Sequence, residues 1–270
     1  MLILVGIAFT IFAYVKRPWF HQLQLESVHY ICYSTATEAQ TQQILNLAEM
    51  LYKSYTSFFP NLKIHKKDKL KLKLYKDRDE FKSYNLTSGW AEAFYKKPYC
   101  HQYYSEDEVN PYHWMIHEAT HQLNAEVAHW RLEKWLDEGI AEYFSTSTIQ
   151  NNRLIPGKID RNTYPIWWLG SMNLSGDLEK DIKATKIIPL NTIITDSGGP
   201  HINKYFNLYY IHWWSLTHFL IHYENGRYKG RFLNLVKDGG KLETFEKHIG
   251  PVHEIQVQWY PYLQNFAKTL

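Results

Sequence analysis

Hydrophobic and polar positions divide this chain into a first half that mixes two-residue and 3.6-residue periods and a second half that is helical almost throughout. Residues 27–36 (SVHYICYSTA) read as a strand. Over residues 37–59, Ile44, Leu45, Leu47, Ala48, Leu51 and Tyr55 recur on one face of a helix that ends before Pro60. In residues 70–75, Leu70, Leu72 and Leu74 alternate with Lys71 and Lys73, which predicts a strand with one solvated side. A short helix is expected over 77–84 and one or two strands over 90–104. Pro111 suits the first turn of a helix running to about Glu126. A second helix follows over 132–148. Residues 149–200 read as loop-rich, punctuated by Pro156-Gly157 and Gly199-Pro200. A long aromatic helix spans 205–223, and 230–238, 242–248 and 254–266 continue as helices. The expected class is α+β: an N-terminal mixed sheet with the helix of residues 111–126, then a mainly helical C-terminal lobe.

The first residues stand apart. Residues 2–15 (LILVGIAFTIFAYV) are almost wholly apolar and Lys16 and Arg17 follow. As a helix they would span about 22 Å, short of a hydrocarbon core of about 30 Å. A basic leader and a small-residue cleavage site are not evident. Residues 1–20 are therefore expected to be a hydrophobic export signal or membrane anchor, and the protein to be membrane-associated or exported. The basic pair argues for a cytoplasmic domain by the positive-inside rule; export argues the reverse, so both orientations stay open.

Composition narrows the rest. With 270 residues and 45% hydrophobic content the chain can bury a full core, and residues 27–266 are expected to form a single domain. A net charge of +3, without a basic run interleaved with aromatics, argues against a nucleic-acid partner. Two cysteines, Cys32 and Cys100, allow one disulfide and no cysteine-based metal site.

The chemistry is concentrated in His117-Glu118-Ala119-Thr120-His121, an H-E-x-x-H stretch, and in Trp135-Leu136-Asp137-Glu138-Gly139-Ile140-Ala141-Glu142-Tyr143-Phe144 soon after it. A helix turns about 100° per residue, so His117 and His121 share a face and can point at one ion. Glu118 is rotated away from that face and can act as general base on a water held by the metal. Zinc suits two imidazoles with a carboxylate and, in catalytic sites, keeps a position for water. The third ligand decides the subclass. Asn124 and Val127 stand where a metzincin would carry a glycine and a ligand, and His129 is out of phase. Asp137, Glu138 and Glu142 remain. Glu138 and Glu142 share a face of the second helix, so one can bind zinc and the other can accept the outer N–H of a ligand histidine. We assign Glu138 as ligand and Glu142 as that acceptor, with one zinc per chain.

These two stretches together resemble the gluzincins, zinc peptidases with a glutamate third ligand, and more closely the peptidase-MA-like domains of uncharacterised bacterial proteins. The likeness extends over roughly residues 27–266 and takes in residues 71–81 (KLKLYKDRDEF) and 210–220 (YIHWWSLTHFL), which are less specific than the metal motifs. It implies a zincin-like fold and hydrolysis of peptide bonds in a peptide or protein substrate. It suggests Tyr210 as donor to the developing oxyanion, with Tyr205, Tyr209 and His212 as neighbours that could serve instead. It also gives residues 91–104 the role of an edge strand that pairs with substrate backbone. The alternative is a zinc-stabilised peptide-binding module without turnover.

Overall fold

Strand β1 (Leu23–Glu26) precedes the first strand expected from the sequence and pairs antiparallel with β2 (Tyr30–Ser34). The computed structural model describes residues 18–60, 62, 68–85, 91–105, 110 and 112–269. The apolar stretch 2–15 and Pro111 lie outside them. No helix among the described residues is long and apolar enough to cross a membrane.

Helix α1 (Glu38–Phe58) starts at a reciprocal cap: the Thr37 hydroxyl accepts from Gln40 N, and the Gln40 side chain accepts from Thr37 N. Its buried stripe is the predicted one, Ile44 through Tyr55. It crosses over to β3 (Leu70–Tyr75), which pairs parallel with β2. Leu70, Leu72 and Leu74 point inward and Lys71 and Lys73 outward, as the alternation predicts. After the short helix α2 (Arg78–Tyr84), the expected one or two strands form a hairpin: β4 (Phe94–Lys96) antiparallel to β5 (Tyr99–Tyr103). The sheet order is β1-β2-β3-β5-β4, so β3 lies at the centre and β4 at one edge. This is a mixed sheet, because β2, β3 and β5 run parallel while both edge strands run antiparallel.

Cys32 and Cys100 flank Leu72, one on each side of β3, and both are free. Two strand spacings separate their backbones by about 9.6 Å, beyond the reach of a disulfide.

Helix α3 (His113–Glu126) lies against the inner face of the sheet beside α1. Gln122 Nε2 ties it to the backbone oxygens of Lys71 (3.2 Å) and Pro98 (3.1 Å). Helix α4 (Lys134–Ser145) packs between α3 and the long helix α7 (Ile202–Gly226). Helix α4 ends at Ser145, before the expected 148, and the loop-rich stretch 149–200 carries more order than its breakers suggest. Residues 147–200 hold a hairpin, β6 (Ser147–Gln150) with β7 (Arg153–Ile159), and the short helices α5 (Leu178–Lys183) and α6 (Leu190–Thr195). Pro156-Gly157 reads as a breaker, yet both residues lie within β7, where the pairing has a bulge and Gly157 takes φ 80°. The helical order within α7 stops near the predicted end, since Tyr223 to Asn225 leave helical backbone angles. Helices α8 (Lys229–Lys237), α9 (Leu242–His248) and α10 (Val252–Thr269) complete a helical C-terminal part. The architecture is α+β, a mixed N-terminal sheet followed by helices, and one cluster of buried side chains runs through both parts from Tyr30 to Leu263.

Candidate metal centre

The chain brings its two chemical motifs together where α3 and α4 cross. His117 and His121 lie one turn apart on α3, and their Nε2 atoms are 3.1 Å apart. Glu138 Oε2, from α4, is 3.3 Å from His117 Nε2 and 3.7 Å from His121 Nε2. These three donor atoms form a compact triangle that can hold a metal ion. A tetrahedral ion with bonds of about 2.1 Å has ligand atoms about 3.4 Å apart, close to the spacing present here. Glu138 Oε2 is enclosed, and among the described residues it has no hydrogen-bond partner beyond its approach to these two imidazoles. An enclosed carboxylate oxygen facing two imidazole nitrogens is left for a cation to satisfy.

The outer nitrogen of each imidazole meets a second carboxylate. His117 Nδ1 is 3.1 Å from Glu142 Oε1. His121 Nδ1 is 2.9 Å from Asp137 Oδ2. Asp137 Oδ1 accepts from Asn124 Nδ2 at 2.7 Å, and Asn124 Oδ1 accepts from the Tyr55 hydroxyl at 2.7 Å. This second relay escaped the sequence reading. Two buried imidazoles facing one centre need two acceptors for their outer nitrogens, so the missing one could have been counted. That it is Asp137, held by Asn124 and Tyr55 of α1, follows only from the packing of three helices.

The electrostatics favour a cation. Burial works against charge on His117, but the carboxylates of Glu142 and Glu138 overcome it and lift its pKa to about 10. Burial likewise opposes charge on His121, and Asp137 and Glu138 raise it well above the ordinary value. Burial favours the neutral acid at Glu138, yet the two imidazoles hold it far below the usual carboxylate range. Glu142 moves the other way, raised by burial in a fully enclosed position.

The triangle opens onto a cleft of about 630 Å³ bordered by β4, α3, α4 and aromatic side chains of the helical part. Glu118 lines this cleft, and its Oε2 accepts the Tyr95 backbone N–H of β4 at 2.7 Å. Tyr95 is anchored at its other end by its hydroxyl, which reaches Glu126 Oε1 at 3.2 Å. The tie between edge strand and Glu118 has no local signal, because 23 residues separate the partners. Tyr210 reaches the cleft from α7, its ring centroid 6.2 Å from that of His117. Its hydroxyl has no hydrogen-bond partner among the described residues. Burial, reinforced by Glu138 and Glu142, pushes its pKa far above the usual phenol value, so it stays a donor. Of the neighbours weighed with it, Tyr209 spends its hydroxyl on Pro200 O at 2.8 Å. His212 is buried between Leu208 O and Ile188 N.

Gly139 sets the approach of α4 to α7. A Cβ there would meet Thr217 Oγ1 at 2.2 Å and the Trp213 carbonyl oxygen at 2.8 Å. A backbone oxygen cannot turn aside, so the helices would have to separate next to Glu138. Gly139→Ala would gain about 1 kcal/mol of helix propensity against overpacking of up to about 3 kcal/mol. The net loss expected is about 2 kcal/mol, read as a lower urea midpoint; an unchanged or higher midpoint would show that α4 and α7 tolerate the spacing.

No protein-family model matches this chain, and no curated protein matches it.

Proposed function

We propose that this protein is a zinc-dependent peptidase of gluzincin type with a zincin-like fold. The observation that carries the reading is the donor triangle of His117, His121 and Glu138 placed beside Glu118 at the wall of an open cleft. Two imidazole nitrogens and one carboxylate oxygen are a donor set that zinc accepts with a coordination position to spare. Bound there, zinc supplies Lewis acidity, which eases deprotonation of water and polarises the scissile carbonyl.

The chain's own residues do the rest. Glu118 takes the proton from the attacking water and returns it to the leaving amine nitrogen. Its carboxylate is aimed by the Tyr95 N–H, which fixes one oxygen and leaves the other for the water. Glu142 and Asp137 hold the ligand imidazoles in the tautomer that turns Nε2 inward. Tyr210, protonated at neutral pH, donates to the carbonyl oxygen as it becomes negative. Of the stretch 91–104 expected to form an edge strand, only β4 lies at the sheet edge, β5 being paired on both sides, and β4 would offer its backbone groups to an extended peptide.

The test is direct. The purified protein is incubated with a diverse peptide mixture, and new termini are mapped by mass spectrometry with and without 1,10-phenanthroline. Cleavage that stops with the chelator and returns with added zinc is expected. In the same assay Tyr210→Phe should lower kcat about 100-fold with metal content unchanged. Metal retained without any cleavage would leave a zinc-stabilised peptide-binding module in its place.

A further inference from the structure

Among the described residues the sheet is covered unequally. Helices α1 and α3 lie on its inner face, whereas on the outer face Phe81 of α2 meets Tyr75, Tyr103 and Phe94 only at one end. The remainder carries Tyr33, Lys71, Lys73, Tyr99 and Lys96, which alternate outward on β2, β3, β5 and β4. Strand pairing makes a cationic and aromatic surface out of residues distant in sequence. Lys73 Nζ sits 4.5 Å from the Tyr99 ring centroid and 5.3 Å from that of Trp19. Tyr33 meets Tyr99 at 6.0 Å and His21 at 4.9 Å. Among the described strand residues that alternate outward, Glu26 is the one acid, and it pairs with Lys69 at 2.8 Å.

Where the chain joins this face indicates what covers it. Trp19 lies on the face, and Phe20 beside it is 76% exposed. Val15, the last residue of the apolar stretch, is four residues from Trp19, a reach of at most about 14 Å. Lys16 and Arg17 occupy the interval. Trp and Tyr with lysines, next to an apolar stretch, are the composition of a bilayer interface.

We propose that the outer sheet face docks on an anionic phospholipid bilayer, with residues 2–15 as the apolar anchor. The metal cleft borders the α3 side of the sheet and stays open to solvent. Single-stranded nucleic acid would need open ring faces for stacking. Here Lys73 lies over Tyr99, and the Tyr33 and Tyr99 rings meet edge-on at 70°.

The experiment is flotation of the full-length chain with vesicles of phosphatidylcholine alone and with roughly one-third phosphatidylserine. Wild type is expected to bind the anionic vesicles about 10-fold more tightly at about 0.1 M salt and to lose that preference near 1 M. Lys71→Glu with Lys73→Glu should reduce the preference to below about 3-fold while binding to neutral vesicles is unchanged. The milder pair Lys71→Gln and Lys73→Gln, checked by circular dichroism, gives the same reading if the charge reversal unfolds the sheet. Equal binding of wild type to both vesicles overturns the proposal. So does a preference that survives at Lys71 and Lys73 but vanishes in Lys16→Gln with Arg17→Gln, because the basic pair alone would then read the lipid. Binding of poly-U that depends on Lys71 and Lys73, with no vesicle preference, overturns it in favour of nucleic acid.

Discussion

Glu118→Gln is expected to lower peptide hydrolysis by about 10³- to 10⁴-fold and to leave the metal content at its wild-type level, measured by initial rates and plasma mass spectrometry on one preparation. Glutamine keeps the size of the side chain, and its amide oxygen still accepts the Tyr95 N–H that positions Glu118. What it loses is the ability to take a proton. Because Glu118 is not a member of the donor triangle, loading should not change. A variant that retains both zinc and full activity would remove Glu118 from the role of base. A variant that loses zinc would place its carboxylate among the ligands.

Glu138→Ala should act on the other half of the site. It removes one corner of the triangle and leaves His117 and His121 facing each other at 3.1 Å without the carboxylate. Stoichiometric zinc in the wild type and a marked loss in the variant is the expected result. The same change reads out as stability. A ligand present at about 1,000 times its dissociation constant stabilises the folded state by about 4 kcal/mol, roughly 10 °C in midpoint for a chain of this size. A chelator should therefore lower the melting temperature of the wild type by about that amount and barely move Glu138→Ala. Equal zinc in both proteins would mean that Asp137 or Glu142 supplies the third ligand and that Glu138 does not.

Much of this arrangement is written locally. The i, i+4 spacing of His117 and His121 needs nothing but a helix, and so does the shared face of Glu138 and Glu142. The stripe on α1 and the Leu–Lys alternation of β3 likewise specify which side is buried, because period and burial are coupled one residue at a time. The reading failed where local signals conflict with tertiary context. Pro156-Gly157 looks like a loop, yet β6 supplies a partner strand and both residues sit in a bulge of β7 opposite it. β1 is only four residues long, too short for its period to stand out, and exists because β2 needs an edge partner.

The sequence by itself determined the donor set, two imidazoles and a choice among three carboxylates, together with the α+β class and the apolar character of residues 2–15. Only the tertiary structure decided which carboxylate meets which nitrogen. It also decided that Asp137 continues through Asn124 to Tyr55, that Tyr95 of the edge strand aims Glu118, and that Lys71 and Lys73 share a face with Tyr99 and Trp19. The physical reason is the same in each case. A helix or strand period orders side chains within one element, whereas a distance of about 3 Å between elements is set by the packing of whole surfaces, here by α4 lying close on α7 at Gly139 and by the order of strands in the sheet.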